Sequence, residues 1–424
     1  EDGQTLFTDV YELLPAHVMV VDSSGEHRRR YWRPDPSKKV RYKTKEEYAE
    51  HFRSLLEESV RCRLRARTPV GVLMSGGLDS TSVACLAARM IPEQPLTTIS
   101  YVFDELADCD ERVYINAVRD QYDLHSIQIP CDDAWPYKDW QTWPHNPNYP
   151  EGNPYRPLKE RAYGRARGEG LHVLLTGAFG DHVYSGAKDW WADLHHDKRL
   201  LESARELIHH FRYAEPRWTL RSGFLQRAVR RLLNILPGGR QLRRSQSAPV
   251  WLTPAAAGRL SIGNTEIDAS FENRGNLIGA LTALDSSIEI YHSNRHILEL
   301  RHPYRDRRLV EYALGLPAYV LYYRGLHKYV LHMAMRDILP ELIRTRRQPT
   351  SLVSLFSRGI EREKAFLQTC FQPLDAVWRT FVHADRLLRR WDSPVTPDTD
   401  GPQALIPWLC TSYASWHQSH RVLQ

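Results

Sequence analysis

The chain has 424 residues, 42% of them hydrophobic and 25% charged, enough for cores in two or three domains at the usual ~100–200 residues per domain. A net charge of +6 is mild for this length and does not by itself indicate nucleic acid. No apolar run approaches the roughly 20 residues that cross a bilayer, so no membrane span is expected. The polar, acidic start EDGQTLFTDV is unlike a secretion signal, and a cytoplasmic location is expected. The cysteines, Cys62, Cys85, Cys109, Cys131, Cys370 and Cys410, form no CxxC pair and no Cys/His cluster at zinc spacing. Reduced, mostly buried thiols are expected.

Residues 1–40 hold a strand-like AHVMVVD (16–22), a turn at SSGE and then HRRRYWRP, a hairpin without a core of its own. In TKEEYAEHFRSLLEESVRCRLRA, Thr44 and Glu47 form a capping box, and Tyr48, Phe52, Leu55, Leu56, Val60 and Leu64 form one apolar stripe, which predicts a helix. From residue 70 the pattern alternates: VGVLM, helical STSVACLAARM, LTTISYVF, helical ERVYINAVRDQY, HSIQI, a helix near 158–168, and HVLLTG. Short apolar runs separated by helices imply buried parallel strands with right-handed crossovers, an α/β doubly wound parallel sheet.

Between HSIQI and the helix near 158 lies PCDDAWPYKDWQTWPHNPNYPEGNPYRP, too long and Pro-rich for an ordinary connector. Its Trp135, Trp140, Trp143, Tyr149 and Tyr155 predict a packed lid. After residue 186 helical patterns dominate. From Arg217 to Arg244 there are eight arginines and no acidic residue, read as a solvated insert or, alternatively, a docking surface for an anionic partner. The expected organisation is a hairpin and connector at 1–40, an α/β core at 41–190, and a mainly helical C-terminal region at 191–424 with the basic insert at 217–249.

The stretch VLMSGGLDSTSV (72–83) is a strand, a Ser-Gly-Gly turn and a helix start in succession. At the carboxyl end of a parallel strand, such a turn lets backbone N–H groups approach an anion, and the helix adds its positive dipole end. The spacing is neither GxxxxGK[ST] nor GxGxxG. Hydroxyls of Ser75, Ser80 and Thr81 and amides of Gly76, Gly77 and Leu78 are candidates for pyrophosphate, with Asp79 a carboxylate for Mg²⁺.

SGGLDS resembles the pyrophosphate loop of the N-type ATP pyrophosphatases, which split ATP between the α and β phosphates. Three later segments narrow the resemblance. TGAFGDHVYSG (176–186) is similar to the TGxGxDxxxxG turn of asparagine synthetase-like proteins and puts Asp181 at their second Mg²⁺ carboxylate. ELRHPYRDRRLVEYALGLP (299–317) resembles their ExRxPFxDxxLVExAxxLP helix. GLHKYVLHMAMRDILPELIRTRRQ (325–348) resembles their GxxKxxLRxAMxxxLPxxIxxRxK and puts Lys328 at the lysine that neutralises charge developing on the phosphates. FTDVYELLPAHVMVVDSSGEHRRRYWRP looks like the connector leaving the family's glutaminase domain. With Glu1 first and no cysteine before Cys62, glutamine-dependent chemistry is not expected of this chain alone.

Ala178 stands where asparagine synthetases carry Glu and β-lactam synthetase carries Tyr, groups that position or activate the attacking amine. Either the base lies elsewhere, with Glu289 and Asp285 as candidates, or the amine arrives neutral. DCDERVYINAV and the aromatic lid resemble the lasso peptide cyclases, which join a peptide's N-terminal amine to an Asp or Glu side chain. The resemblance implies ATP with adenine against backbone near Leu73, Ser100 and Gly177, phosphates at Ser75–Ser80, Mg²⁺ on Asp79 and Asp181, and catalytic Lys328, Glu289 and Arg301. Arg301 and Arg346 are read as orienting a carboxylate or as structural, and His182, His296 and His302 are assigned no catalysis. Implied partners are a precursor core peptide, a leader-binding protein and a leader protease. An asparagine or β-lactam synthetase and a silent peptide-binding scaffold are the alternatives.

Overall fold

The computed structural model describes residues 3, 5–35, 38–185, 201, 204–205, 251–259, 287–323, 326–371, 380–383, 385–386 and 410–417. The expected basic insert at 217–249 and Asp285 lie outside the described residues. None of the described helices is long and apolar enough to cross a membrane.

Five parallel strands form the central sheet: β3 (Val70–Leu73), β4 (Leu96–Val102), β5 (Leu124–Pro130), β6 (Val173–Thr176) and β7 (Glu299–Arg301), paired in the order β5-β4-β3-β6-β7. From β3 the chain steps outward through β4 and β5, then returns to the other side of β3 as β6. Strand order therefore reverses between β3 and β6, where open α/β sheets leave a crevice at their carboxyl ends. In register, Leu73 faces Ile99 on one side and Thr176 on the other, so the predicted turns after residues 73 and 176 are neighbours. Sequence patterning identified β3 to β6 but read 299–317 as helix. In the structure Glu299–Arg301 is the edge strand, Pro303–Arg305 is a 3₁₀ turn, and helix begins only at Arg307, capped by Asp306 through the Arg308 N–H. Pro303 accounts for the break, because proline restricts His302 to extended backbone.

On one sheet face lie α1 (Lys45–Arg63), α2 (Leu78–Met90) and α3 (Arg112–Gln121). The Thr44–Glu47 capping box forms as predicted, and Tyr48, Phe52, Leu56 and Val60 of α1 are buried. Each such side chain contributes about 1.5–3 kcal/mol. The opposite face packs Ile99, Ile127 and Leu174 against Ala162, Tyr163 and Ala166 of α4 (Arg156–Gly168).

The N-terminal strands β1 (His17–Asp22) and β2 (Gly25–Arg30) pair as the expected antiparallel hairpin and stay largely exposed. The connector after them is fastened to the main body, with the Trp32 indole donating to Glu311 at 2.6 Å and the Val40 N–H to the Gly315 carbonyl at 2.8 Å.

The lid, residues 131–155, is tied down by side chains from distant segments. The Trp135 indole donates to Glu363 (2.9 Å), Trp140 to Ser415 (2.7 Å) and Trp416 to the Asn146 carbonyl (2.9 Å), while Tyr137 and Trp140 pack against Phe356 and Leu367. Beneath it Arg156 lies 3.3 Å from Glu151, and His292 Nε2 lies 2.7 Å from the same carboxylate.

Candidate active site

The turn after β3 is closed by its own hydroxyls: the Ser75 N–H donates to Ser80 Oγ at 3.0 Å, and the two serine oxygens are 2.9 Å apart. The Gly77 N–H donates to Ser75 Oγ at 3.1 Å, and Gly77 itself, with no side chain to cap α2, leaves that helix start open on the strand-end side. Two expectations change here. Thr81 is fully buried and donates to the Gly77 carbonyl at 2.8 Å, so its hydroxyl is a helix contact. The Gly76 N–H already donates to the Glu111 carboxylate at 2.9 Å. Sequence reasoning missed Glu111, although an acidic residue in the loop after β4 belongs to the same sheet edge.

The second turn, after β6, presses directly on the first. A Cβ at Gly177 would lie 2.5 Å from the Ser80 nitrogen, and one at Gly180 would lie 2.4–2.6 Å from the carboxylate atoms of Asp79. These glycines serve close approach. Phe179 between them takes a positive φ of 74° as N-cap of α5 (Gly180–Tyr184), which carries Asp181.

Lys328 joins the two turns. It also has a positive φ, 56°, at the start of the helix Tyr329–Ala334. Its Nζ lies 2.5 Å from Asp79 Oδ2 and 2.6 Å from Asp181 Oδ1. Asp79 is buried, with Oδ1 lacking a hydrogen-bond partner, whereas the Asp181 side chain is 77% exposed. Burial pushes the Asp79 carboxyl up to about 6 against the pull of Lys328, and Asp181 adds to the rise. Burial works against the Lys328 ammonium too, but Asp79 and Asp181 outweigh it and hold its pKa above the ordinary value. Beneath them Tyr304 donates to the Asp79 carbonyl at 3.3 Å and packs on Tyr184, which packs on Phe52.

The remaining predicted residues divide. Leu73, Ser100 and Gly177 lie at the carboxyl ends of β3, β4 and β6, and Ser100 Oγ is buried without a partner. Glu289 is largely buried, 2.8 Å from Lys159 Nζ and 3.5 Å from His302 Nε2. Burial alone would raise its pKa, yet Lys159 and His302 outweigh it and the net shift is downward. His302, lowered to about 4 chiefly by burial, is 2.7 Å from Thr176 Oγ1, which in turn accepts the Ala178 N–H. Lys159 and Thr176 were not singled out in the sequence; Thr176 opens the TGAFGD turn, whereas no motif marks Lys159.

Arg301, expected to be catalytic by orienting a carboxylate or else structural, has structural contacts: it donates to the Arg63 and Arg65 carbonyls at 2.7 and 2.9 Å and pairs with Glu299. Arg346 braces the first turn instead, donating to the Gly76 carbonyl (3.0 Å) and Glu111 (2.9 Å). His296 bonds Glu160 at 2.6 Å, and His182 is exposed.

Among the described residues no group of three or more His, Cys, Asp or Glu could cage a metal. Asp79 and Asp181 nevertheless suit Mg²⁺, which is typically held by one or two carboxylates plus substrate phosphates, and the orphaned Asp79 Oδ1 supplies a free oxygen ligand.

Comparison with known proteins agrees with this arrangement. A family model described as asparagine synthase matches residues 51–418. Asparagine synthetase 3 (glutamine-hydrolyzing) of Bacillus subtilis is 23% identical over 439 residues, covering 96% of this chain and 64% of its own. The amidase chry2 of Gibberella zeae is 27% identical over 210 residues, 45% of this chain and 31% of its own. A probable asparagine synthetase (glutamine-hydrolyzing) of Schizosaccharomyces pombe reaches 44% over 82 residues, 18% of this chain and 13% of its own. The chain thus spans less than two thirds of the length of each of these relatives.

Proposed function

Because the chain belongs to the asparagine synthase family, we propose that it is an ATP-dependent carbon–nitrogen ligase that adenylates a carboxylate, releases pyrophosphate and passes the acyl group to an amine. The observation that carries this reading is Lys328 bridging Asp79 and Asp181 across two glycine-relieved turns at the strand-order reversal. The names of the similar proteins, amidase and asparagine synthetase, both concern amides.

In this reading Asp79 and Asp181 would hold Mg²⁺, which would supply positive charge beside the pyrophosphate leaving group. Lys328 adds a second positive charge in a water-poor setting, and the open first turn of α2 faces the phosphates. Backbone at Leu73, Ser100 and Gly177 receives adenine. Ala178 offers the incoming amine no proton acceptor, so we assign that role to Glu289, ionised and linked through His302 to the strand end at Thr176.

We further propose that the acyl group and the amine belong to one peptide, the reaction of a lasso peptide cyclase, with a precursor core peptide as substrate and a leader-binding protein and protease as partners. Ala178 and the aromatic lid, tied to Glu363, Ser415 and Trp416, support a bulky substrate held with both ends together. Such holding lowers a barrier by roughly 7–11 kcal/mol. The competing reading, an asparagine synthetase-like small-acid ligase, is favoured by the asparagine synthetase match over 96% of the chain.

ATP–pyrophosphate exchange with Mg²⁺ separates the two. A peptide with a free N-terminus and an internal Asp or Glu should stimulate exchange and yield a product one water lighter. Stimulation by aspartate alone, with asparagine formed from ammonia, would replace the cyclase reading.

A further inference from the structure

The first turn of the phosphate corner already holds an anion, one supplied by the chain itself. Glu111 is the N-cap of α3, yet its carboxylate makes no capping bond to that helix. It reaches across to accept the Gly76 N–H at 2.9 Å, one of the amides that a phosphate oxygen would use. The other carboxylate oxygen is 2.9 Å from Arg346 Nη1, and the same nitrogen donates to the Gly76 carbonyl at 3.0 Å. One ion pair therefore holds both polar groups of Gly76.

The pair is built in. The side chains of Arg346 and Glu111 are 11% and 16% exposed, and the guanidinium stacks 4.0 Å from the Tyr114 ring centre. A Cβ on Gly76 would lie 2.7 Å from Tyr114 Cβ and 2.9 Å from Glu111 Cβ, so glycine is required for the carboxylate to come this close. Two further Arg346 bonds, to the Gln348 carbonyl and to Thr350 Oγ1, fix the guanidinium from the side away from Glu111.

We propose that Glu111 is an internal competitor for the pyrophosphate site. When the triphosphate binds, an oxygen of its pyrophosphate portion replaces the Glu111 carboxylate at the Gly76 N–H and at Arg346. When chemistry is complete, Glu111 returns and assists release of inorganic pyrophosphate. Asp79, Asp181 and Glu111 against Lys328 and Arg346 leave the corner one negative charge in excess. A pyrophosphate therefore enters together with a cation, and gains a full guanidinium only by moving Glu111 aside. The inference rests on the ATP reading above.

The test is calorimetric titration of inorganic pyrophosphate with Mg²⁺ into the wild-type chain, Glu111→Gln and Arg346→Ala. Glutamine keeps the shape and an acceptor for Gly76 but removes the competing charge, so Glu111→Gln should bind pyrophosphate about tenfold more tightly, a difference of about 1.4 kcal/mol. Arg346→Ala should bind it at least about tenfold more weakly. Opposite signs are the signature, because a purely structural brace would lose affinity in both variants. Unchanged or weaker binding by Glu111→Gln overturns the inference while leaving the ATP reading in place. A wild-type chain that binds no pyrophosphate overturns both. A measurement on the unmutated chain guards against misfolded variants: in glycine-labelled protein, pyrophosphate should move the Gly76 amide resonance, and an unmoved resonance at saturation contradicts the exchange of partners.

Discussion

The phosphate corner and the lid are built in opposite ways. In the corner, the contacts are between backbone and short side chains of two turns that the parallel sheet sets side by side: Ser75 with Ser80 within the first, and Gly177 and Gly180 of the second against Ser80 and Asp79. Lys328 and the Glu111–Arg346 pair join them from other segments. In the lid, residues 131–155 have little regular structure, and indole N–H groups find acceptors more than 200 residues along the chain. The first arrangement sets charges against backbone at close range, and the second makes a wall held by long-range side-chain bonds. In the proposed reading, chemistry and substrate choice are thereby separable.

If that separation holds, Asp79→Asn should abolish pyrophosphate exchange, a loss of at least about 10³-fold, while the lid stays folded. Exchange assays paired with tryptophan fluorescence check both halves. Glu289→Gln divides the corner's own chemistry: exchange should continue at nearly the wild-type rate while amide formation falls by about 10²-fold, as for loss of a general base. Equal loss of both steps would make Glu289 part of the nucleotide site.

Gly180→Ala should cost about 1–3 kcal/mol, because the added methyl collides with the Asp79 carboxylate. A lowered Tm together with weaker Mg²⁺ binding by calorimetry checks it. Trp140→Phe should cost only about 0.5–1.5 kcal/mol, the hydrogen bond to Ser415, and leave exchange with a small acid untouched. Faster amide hydrogen exchange confined to 131–155 and 410–417 would be its mark.

A pH-dependent effect lies at the joint between α1 and the helix from Arg307. Burial alone would raise the Asp306 carboxyl, but hydrogen bonds from Arg308 and Arg63 outweigh it and hold it at about 2. A carboxylate depressed by folding contributes stability above its unfolded pKa, near 4, and loses it as pH falls toward 2. Asp306→Asn should therefore be less stable than wild type at pH 6, with the gap closing as pH falls through that window. Urea midpoints across pH read it directly.

What the sequence revealed follows the same division. SGGLDS was read from its neighbours, a strand end, two glycines and a helix start, whereas TGAFGD and the lysine at 328 were singled out by their resemblance to asparagine synthetase-like segments. The capping box at Thr44 and strands β3 to β6 were likewise read from neighbouring residues. Strand β7 was hidden because three residues cannot display a period, and its pairing with β6 is a long-range choice. Glu111 escaped because an acidic residue before a helix looks like ordinary solvated charge, and only the fold brings it to Gly76. Arg301 stayed open between two readings for the converse reason, since its motif position says nothing of which way the guanidinium turns.

The central claim is that a carboxylate attacks the α-phosphate at this corner. Its most direct test uses the acid, peptide or aspartate, that best stimulates exchange, with its carboxylate labelled with ¹⁸O. After turnover the account predicts one ¹⁸O atom in the AMP, because the acyl-adenylate leaves a carboxylate oxygen on phosphorus when the amine attacks. Label recovered in inorganic phosphate with ADP, or AMP formed without label, would contradict adenylation.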